Sequence, residues 1–386
     1  MIINRSINGI DFAVNPHKPS SLLCEEDVVK ITKGNIYAFI DYLYEQCCKY
    51  TPMVATWEIT NICNFSCVFC YVNTDKATSK QYITFDRAKE IIDTLVDEGL
   101  LLVYLTGGEV LSHPNFAEIY KYLKLKGVYV VLLTNLSLLD EEKLNLFKEY
   151  PPFRVTVSLY GLSDKQFLNV TKNQHINPQR IMSNILLLKN EGINITVQTP
   201  INKVTIDEFA EMANWCFEHG IIYRTSNDLT NSYYGEERQN LYIETDIFNE
   251  MKSRLEFVKE ETLIFDNDYN ECYECKKKAH FDCVAGKHTF AISYNQHIRP
   301  CFNIWENDGP WFDATHSIKN ALIEMKTYLS KKKHETIEYC TGCIAHAFCN
   351  ECMLTQNRNK SNLKDYMNNV CLNNMKLFLE SIENKR

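Results

Sequence analysis

The chain has 386 residues, 45% hydrophobic and 23% charged, with a net charge of −8. That is enough apolar material for a sizeable core, and the acidic balance argues against a nucleic-acid partner. No apolar run is long enough to cross a bilayer, and Met1 to Pro19 lacks the apolar segment of a secretory signal, so the chain reads as cytoplasmic with no membrane partner.

Residues 1–50 read as a short N-terminal extension. Within it, Asn35 to Cys48 is predicted as a helix with Asn35 as N-cap, and Ile36, Phe39, Ile40 and Leu43 fall on one face. That face suits a helix packed over an open edge of the main domain. Residues 51–225 alternate between strand and helix. Strands are predicted at 53–60, 101–106, 128–134, 153–159, 193–199 and 221–225. Helices are predicted near 85–99, 115–126, 140–149, 178–191 and 206–219. Six strands joined in series by helices imply a parallel sheet with the helices outside.

The strands are not the continuous apolar runs of a sheet buried on both faces. Thr56, Glu58 and Thr60 alternate with Ala55, Trp57 and Ile59; Arg154, Thr156 and Ser158 alternate with Phe153, Val155, Val157 and Leu159; Asn194, Thr196 and Gln198 alternate with Ile193, Ile195 and Val197. One face therefore packs under helices and the other lines a polar interior, as in an incompletely closed barrel. Chemistry in such folds sits at the C-terminal ends of the strands. Residues 226–269 read as a charged connector, and 270–386 as a small cysteine-dense, metal-stapled domain.

Sixteen cysteines in a chain without secretory features point to metal rather than disulfides. Cys24, Cys47, Cys48 and Cys216 stand apart and read as ordinary thiols. Cys63, Cys67 and Cys70 follow the first predicted strand with the spacing C-x3-C-x2-C. Three thiolates on one loop can hold three irons of a cubane cluster and leave the fourth open. The alternative, a structural zinc site, requires four closed ligands. After the second strand comes Gly107-Gly108-Glu109, where paired glycines permit close backbone approach and Glu109 can accept a hydrogen bond from an ammonium group.

With Phe69 in the aromatic slot, Cys63 to Cys70 resembles the C-x3-C-x-aromatic-C signature of the radical S-adenosylmethionine (SAM) superfamily. The resemblance implies a partial (β/α)6 barrel, like a TIM barrel left open, with a SAM-binding 4Fe–4S cluster. In that family one electron from the cluster cleaves SAM to a 5′-deoxyadenosyl radical, which takes a hydrogen atom from the substrate. Gly107, Gly108 and Glu109 resemble the family's segment for the SAM amino group, with Val110 replacing the usual proline. The resemblance also places Asn135 and Ser158 near SAM and Tyr71 near its adenine. Glu58, Thr156, Gln198 and Arg224 face the lumen by strand phase; Glu58 and Arg224 are the candidate catalytic groups among them.

Toward the C-terminus, Cys283 and Cys301, then Cys340-x2-Cys343-x5-Cys349-x2-Cys352, then Cys371, resemble the SPASM domain of peptide-modifying members. Two departures are visible: Gln296 stands where that pattern has glycine, although Tyr294-Asn295-Gln296 still reads as a turn because Asn295 tolerates the left-handed conformation, and the last spacing in the run is two rather than three. By resemblance one auxiliary 4Fe–4S cluster uses Cys283, Cys301 and Cys352 with Cys275 or Cys272. The other uses Cys340, Cys343, Cys349 and Cys371. Zinc remains the alternative for the Cys-x2-Cys pairs. The implied activity is modification of a ribosomally made precursor peptide by cross-linking through a thioether or C–C bond, by epimerisation, or by a related change. Alternatives are oxidation of a cysteine or serine of a folded protein to formylglycine, and a non-catalytic peptide-binding protein. The implied partners are the precursor peptide and a one-electron reductant such as flavodoxin or ferredoxin. About 50 residues are too few for the family's leader-binding domain, so leader recognition is expected from a separate protein or from the barrel itself.

Overall fold

The computed structural model describes residues 2–226 apart from 8, 20–21, 48–50 and 73–78. It also describes 241, 243, 247, 263–265, and 285–331 apart from 287, 303 and 305–308. Of the predicted auxiliary-cluster cysteines only Cys301 is among them; Cys272, Cys275, Cys283, Cys340, Cys343, Cys349, Cys352 and Cys371 lie outside the described residues.

The predicted six-strand series is present as β4 (Val54–Glu58), β5 (Leu102–Thr106), β6 (Tyr129–Thr134), β7 (Arg154–Ser158), β8 (Ile195–Pro200) and β9 (Ile222–Ser226). All six are parallel and neighbours in sequence are neighbours in the sheet. The alternation sorts the faces as expected. Ala55, Trp57, Ile59, Val155, Val157, Leu159, Ile195 and Val197 are buried in the main core with the helices. That layer is built by α3 (Phe85–Asp97), α4 (Phe116–Leu125), α5 (Glu141–Glu149), α6 (Asp164–Thr171), α7 (Pro178–Asn190) and α8 (Phe209–Glu218). In α3, Ala88, Ile91, Ile92 and Leu95 repeat at helical spacing and are buried, and the Thr84 side chain caps the first turn by accepting from the Arg87 N–H. Cys216 sits in this core as a buried thiol, as expected of an isolated cysteine.

The sheet extends past both ends of the six-strand series. β10 (Leu263–Phe265), from the stretch read as a connector, pairs parallel with β9. At the other end β11 (Thr289–Ile292) pairs parallel with β4, and β12 (His297–Arg299) and β13 (Phe312–Asp313) continue antiparallel. A helix, α9 (Ile318–Lys331), packs Ile318, Ala321, Leu322 and Met325 into the main core. Part of the region read as a separate cysteine-dense domain therefore shares the barrel's sheet. At the β11–β12 turn the residue in the left-handed region is Gln296 itself, at φ 66°, rather than Asn295. A side chain there costs about 1–2 kcal/mol, offset by its Oε1 accepting from Arg87 Nε at 2.8 Å.

The N-terminal extension is more than a helix. β1 (Ile3–Ile7), β2 (Ile10–Val14) and β3 (Leu22–Cys24) form an antiparallel sheet, followed by α1 (Glu26–Thr32) and α2 (Ile36–Cys47). Asn35 caps α2 through its side-chain oxygen, which accepts from the Tyr37 N–H at 2.8 Å. Ile36, Phe39, Ile40 and Leu43 are buried as predicted, but not over a sheet edge. They pack with Leu101, Leu102, Tyr129 and Val131, at the N-terminal ends of β5 and β6. Leu102, Tyr129 and Val131 lie on the lumen side, so α2 floors the barrel and the lower lumen is apolar rather than wet. Phe153 belongs to this floor, against Tyr37 and Tyr129, not to the outer face. Truncating a fully buried aromatic costs about 3–5 kcal/mol. Phe39→Ala is expected to lower the thermal unfolding midpoint markedly, while Leu23→Ala, at an exposed position on β3, leaves it unchanged; differential scanning calorimetry checks both.

Candidate active site

The loop after β4 carries Cys63, Cys67 and Cys70 at the C-terminal end of the parallel strands, and all three thiols are half-buried. The loop has no helix or strand of its own, so its backbone polar groups need outside partners. They find them in α6: the Ser66 N–H donates to Thr171 O (2.9 Å) and the Val68 N–H to Val170 O (3.0 Å). Asn173 Nδ2, just past α6, donates to Asn64 O at 2.7 Å. Phe69 fills an apolar hole with Val170 and meets Tyr160 edge-on at 5.0 Å; Phe65 meets Phe167 the same way at 5.5 Å. The aromatic slot of the motif is thus an anchor for the loop. Helix α6 was absent from the sequence reading. Its signal was present in Ser163-x-x-Gln166, a capping-box pattern, and the Ser163 hydroxyl does accept from the Gln166 N–H.

The Gly107-Gly108-Glu109 turn lies flush under the stem of this loop. The Gly108 N–H donates to Thr60 O (2.8 Å) and the Glu109 N–H to Ile62 O (2.7 Å). A Cβ on Gly107 would meet Thr60 O at 2.6 Å, and one on Gly108 would meet Ile62 O at 2.4 Å. Glycine is required here by backbone-to-backbone approach. Glu109 is fully buried, and its carboxylate accepts from the Leu111 N–H (3.0 Å), Thr134 Oγ1 (2.5 Å) and the Asn135 N–H (2.6 Å). It ties the end of β5 to the end of β6. Burial pushes the Glu109 carboxyl up, against the pull of these three hydrogen bonds.

Beyond β6, Leu136 adopts φ 57° while fully buried. This left-handed kink is held by the Leu136 N–H donating to Thr134 Oγ1 and by Asn184 Nδ2 donating to Leu136 O. It turns Asn135 and Ser137 toward the cysteine loop. Asn135 Nδ2 donates to Asn64 Oδ1 (3.0 Å), and Asn64 Nδ2 donates to Ser137 Oγ (2.8 Å). Asn64, Thr134, Asn173 and Tyr160 were all missed from sequence. Each is a common polar or aromatic residue whose partner is distant in the chain.

One of the candidate lumen residues is placed differently from expectation. Glu58 is not a free lumen carboxylate: its Oε2 lies 3.2 Å from Arg299 Nη2 in a fully buried ion pair, and its Oε1 accepts from the Tyr71 hydroxyl at 3.4 Å. Tyr71 meets Phe302 edge-on at 5.1 Å. Arg224 pairs in register with Gln198, as Ser158 does from the other side. With Arg154, Arg224 acts on Tyr104, whose hydroxyl meets that of Tyr37 at 3.0 Å. Burial is what chiefly pushes the Tyr104 hydroxyl up. Ser158 is hydrogen-bonded to Tyr160, whose hydroxyl is raised well above its ordinary value by burial and then by the charge of Cys67.

The donor set suits an iron–sulfur cluster: three soft thiols on one loop, none tied up in a disulfide. Among the described residues, no three His, Cys, Asp or Glu side chains are gathered for a single metal ion; a cubane needs one thiolate per iron instead. Burial pushes the Cys63 thiol well up, with the nearby Glu109 charge adding to it.

Residues 57–216 match the Radical SAM superfamily. The chain carries a radical SAM domain. Over 342 residues, 83% of the chain and 70% of the relative, it is 25% identical to the antilisterial bacteriocin subtilosin biosynthesis protein AlbA of Bacillus subtilis (strain 168). Over 171 residues, 44% of the chain and 49% of the relative, it is 28% identical to an AdoMet-dependent heme synthase of Methanosarcina barkeri (strain Fusaro / DSM 804). Streptococcus suis SuiB, solved bound to precursor peptide SuiA, has the same fold, with a TM-score of 0.64 at 12% identity, covering 92% of this chain and 94% of that one. This is the radical SAM α/β fold that the motif implied. No helix among the described residues is long and apolar enough to cross a membrane.

Gly108→Ala forces a Cβ into Ile62 O and must displace the cysteine loop. The variant is expected to take up less iron and sulfide on reconstitution than wild type, while its helical circular dichroism is retained. Equal iron uptake would show that the close approach is not needed to shape the loop.

Proposed function

We propose that this radical SAM domain protein modifies a ribosomally made peptide by hydrogen-atom abstraction. The observation that carries the reading is the cysteine loop, three half-buried thiols at the C-terminal ends of the parallel strands, opposite the end that α2 covers. Cys63, Cys67 and Cys70 would hold a 4Fe–4S cluster. Such a cluster with SAM bound supplies the power to take a hydrogen atom from an unactivated carbon.

The chain's own residues do the placing. Glu109 fixes the Gly107–Gly108 turn and the start of the β6 loop. Asn135 and Ser137 brace the cysteine loop at Asn64, and Phe69 anchors it from the helix side. Gly107, Gly108, Glu109, Asn135, Ser158 and Tyr71 are the residues we assign to the SAM pocket. Because the floor is closed, substrate enters from the strand C-terminal mouth, past Ser158, Gln198 and Arg224, whose polar groups suit a peptide rather than an apolar guest. Arg224 is retained as the candidate group acting on substrate. We assign Cys301, with Cys275 or Cys272, Cys283 and Cys352, to one auxiliary cluster, and Cys340, Cys343, Cys349 and Cys371 to a second.

The peptide reading is supported by the extent of the likeness: the match to a bacteriocin biosynthesis protein runs through 83% of the chain, that to a heme synthase through 44%. The electron would come from a small carrier such as flavodoxin or ferredoxin.

Reconstituted protein with reductant and SAM is expected to release 5′-deoxyadenosine, read by liquid chromatography, and Cys63→Ala to release none. Changing Cys63, Cys67 and Cys70 together should remove about four irons per chain. A precursor peptide encoded beside the gene should change mass on turnover. An unchanged peptide, with turnover of a haem precursor instead, would set the peptide reading aside.

A further inference from the structure

The Glu58 carboxylate joins the Cys63–Cys70 loop to the segment that carries Cys301. Glu58 ends β4, ahead of Cys63, and one of its oxygens takes the hydroxyl of Tyr71, the residue after Cys70. Its other oxygen takes Arg299, two residues before Cys301 and 241 positions away in sequence. Arg299 also donates from Nη1 to Ile304 O at 3.0 Å, so one guanidinium holds the turn around Cys301 from both sides. It lies 5.9 Å over the Phe302 ring, which itself meets Tyr71.

A buried ion pair is a poor source of stability compared with apolar packing, but it fixes geometry. This one has both charges fully buried. Its members lie on β4 and on β12, which are separated in the sheet by β11, so side chains join strands that no ladder hydrogen bond connects directly. With one oxygen toward Tyr71 and the other toward Arg299, the carboxylate is placed to hold structure rather than to move a substrate proton.

The geometry points to Glu58 and Arg299 as positioning residues that lock the Cys301 segment to the exit of the Cys63–Cys70 loop. The lock sets the separation between the site of hydrogen abstraction and the segment that follows β12. Only the consequence for turnover rests on the proposed function: with the lock broken, SAM is still cleaved but cleavage no longer leads to modified peptide.

The test uses full-length, reconstituted protein with Arg299→Met, Glu58→Gln, and the double variant Glu58→Met/Arg299→Met. Hydrogen–deuterium exchange by mass spectrometry is read on a peptide covering 297–304, with one covering β6 as internal control. In each variant the 297–304 amides are expected to exchange about tenfold faster or more, as local opening becomes easier, while β6 stays protected. If a single variant loosens β6 as well, the double variant decides, because it removes both buried charges. In parallel, 5′-deoxyadenosine formation should persist while modified peptide per 5′-deoxyadenosine falls. Unchanged exchange at 297–304 in the double variant overturns the proposal, whatever the substrate proves to be. So does faster exchange with cleavage and modification falling together, which marks a merely structural pair. If wild type modifies no peptide, the proposed function fails while the exchange arm still decides the lock.

Discussion

The loop that carries Cys63, Cys67 and Cys70 is neither helix nor strand, so its backbone must be satisfied by whatever surrounds it. That constraint organises the upper end of this barrel. The end of α6 takes two of the loop's N–H groups, and Asn173 supplies the side chain that binds Asn64 O. The Gly107–Gly108–Glu109 turn donates to Thr60 O and Ile62 O. Asn61 takes part from the other side, its N–H donating to Gln81 O and its side-chain oxygen accepting from the Gln81 N–H. The loop's shape is therefore held by hydrogen bonds to the surrounding chain, and the glycines are needed for that shape.

Charge is the second constraint. Glu58 and Glu109 are both fully buried near the three thiols. Glu109 is stabilised by three hydrogen bonds from neutral donors, and Glu58 is paired with the Arg299 charge and accepts from Tyr71. Each carboxylate ties segments together: Glu109 joins the turn after β5 to the end of β6, and Glu58 joins the exit of the cysteine loop to the Cys301 segment. Buried charge is expensive unless compensated, and here the compensation fixes which strand ends come together.

Much of this was legible in the sequence. The two-residue alternation in 53–60, 153–159 and 193–199 separated core face from lumen face, because side chains on a strand alternate sides. The cysteine spacing and the Gly-Gly-Glu turn marked the chemical end. What was not legible depends on partners far away in the chain. Nothing within β12 tells that Arg299 reaches Glu58. The apolar residues on the lumen side of β5 and β6 have no meaning until α2 is seen to floor the barrel. Helix α6 was missed because its apolar positions are few and half of its role is to hold a loop. Gln296 shows another limit. The glycine slot was recognised, but Asn295 was credited with the left-handed conformation that Gln296 adopts at φ 66°. Long-range anchoring to Arg87 is what makes that possible.

The most direct measurement is the electron paramagnetic resonance spectrum of the reduced, reconstituted protein with and without SAM. If Cys63, Cys67 and Cys70 hold a cluster with an iron open to SAM, the spectrum changes when SAM is added, and that response is missing when the three cysteines are alanine. A spectrum from which SAM draws no response, in protein with full iron and sulfide, would contradict the assignment of this loop as the SAM-binding site.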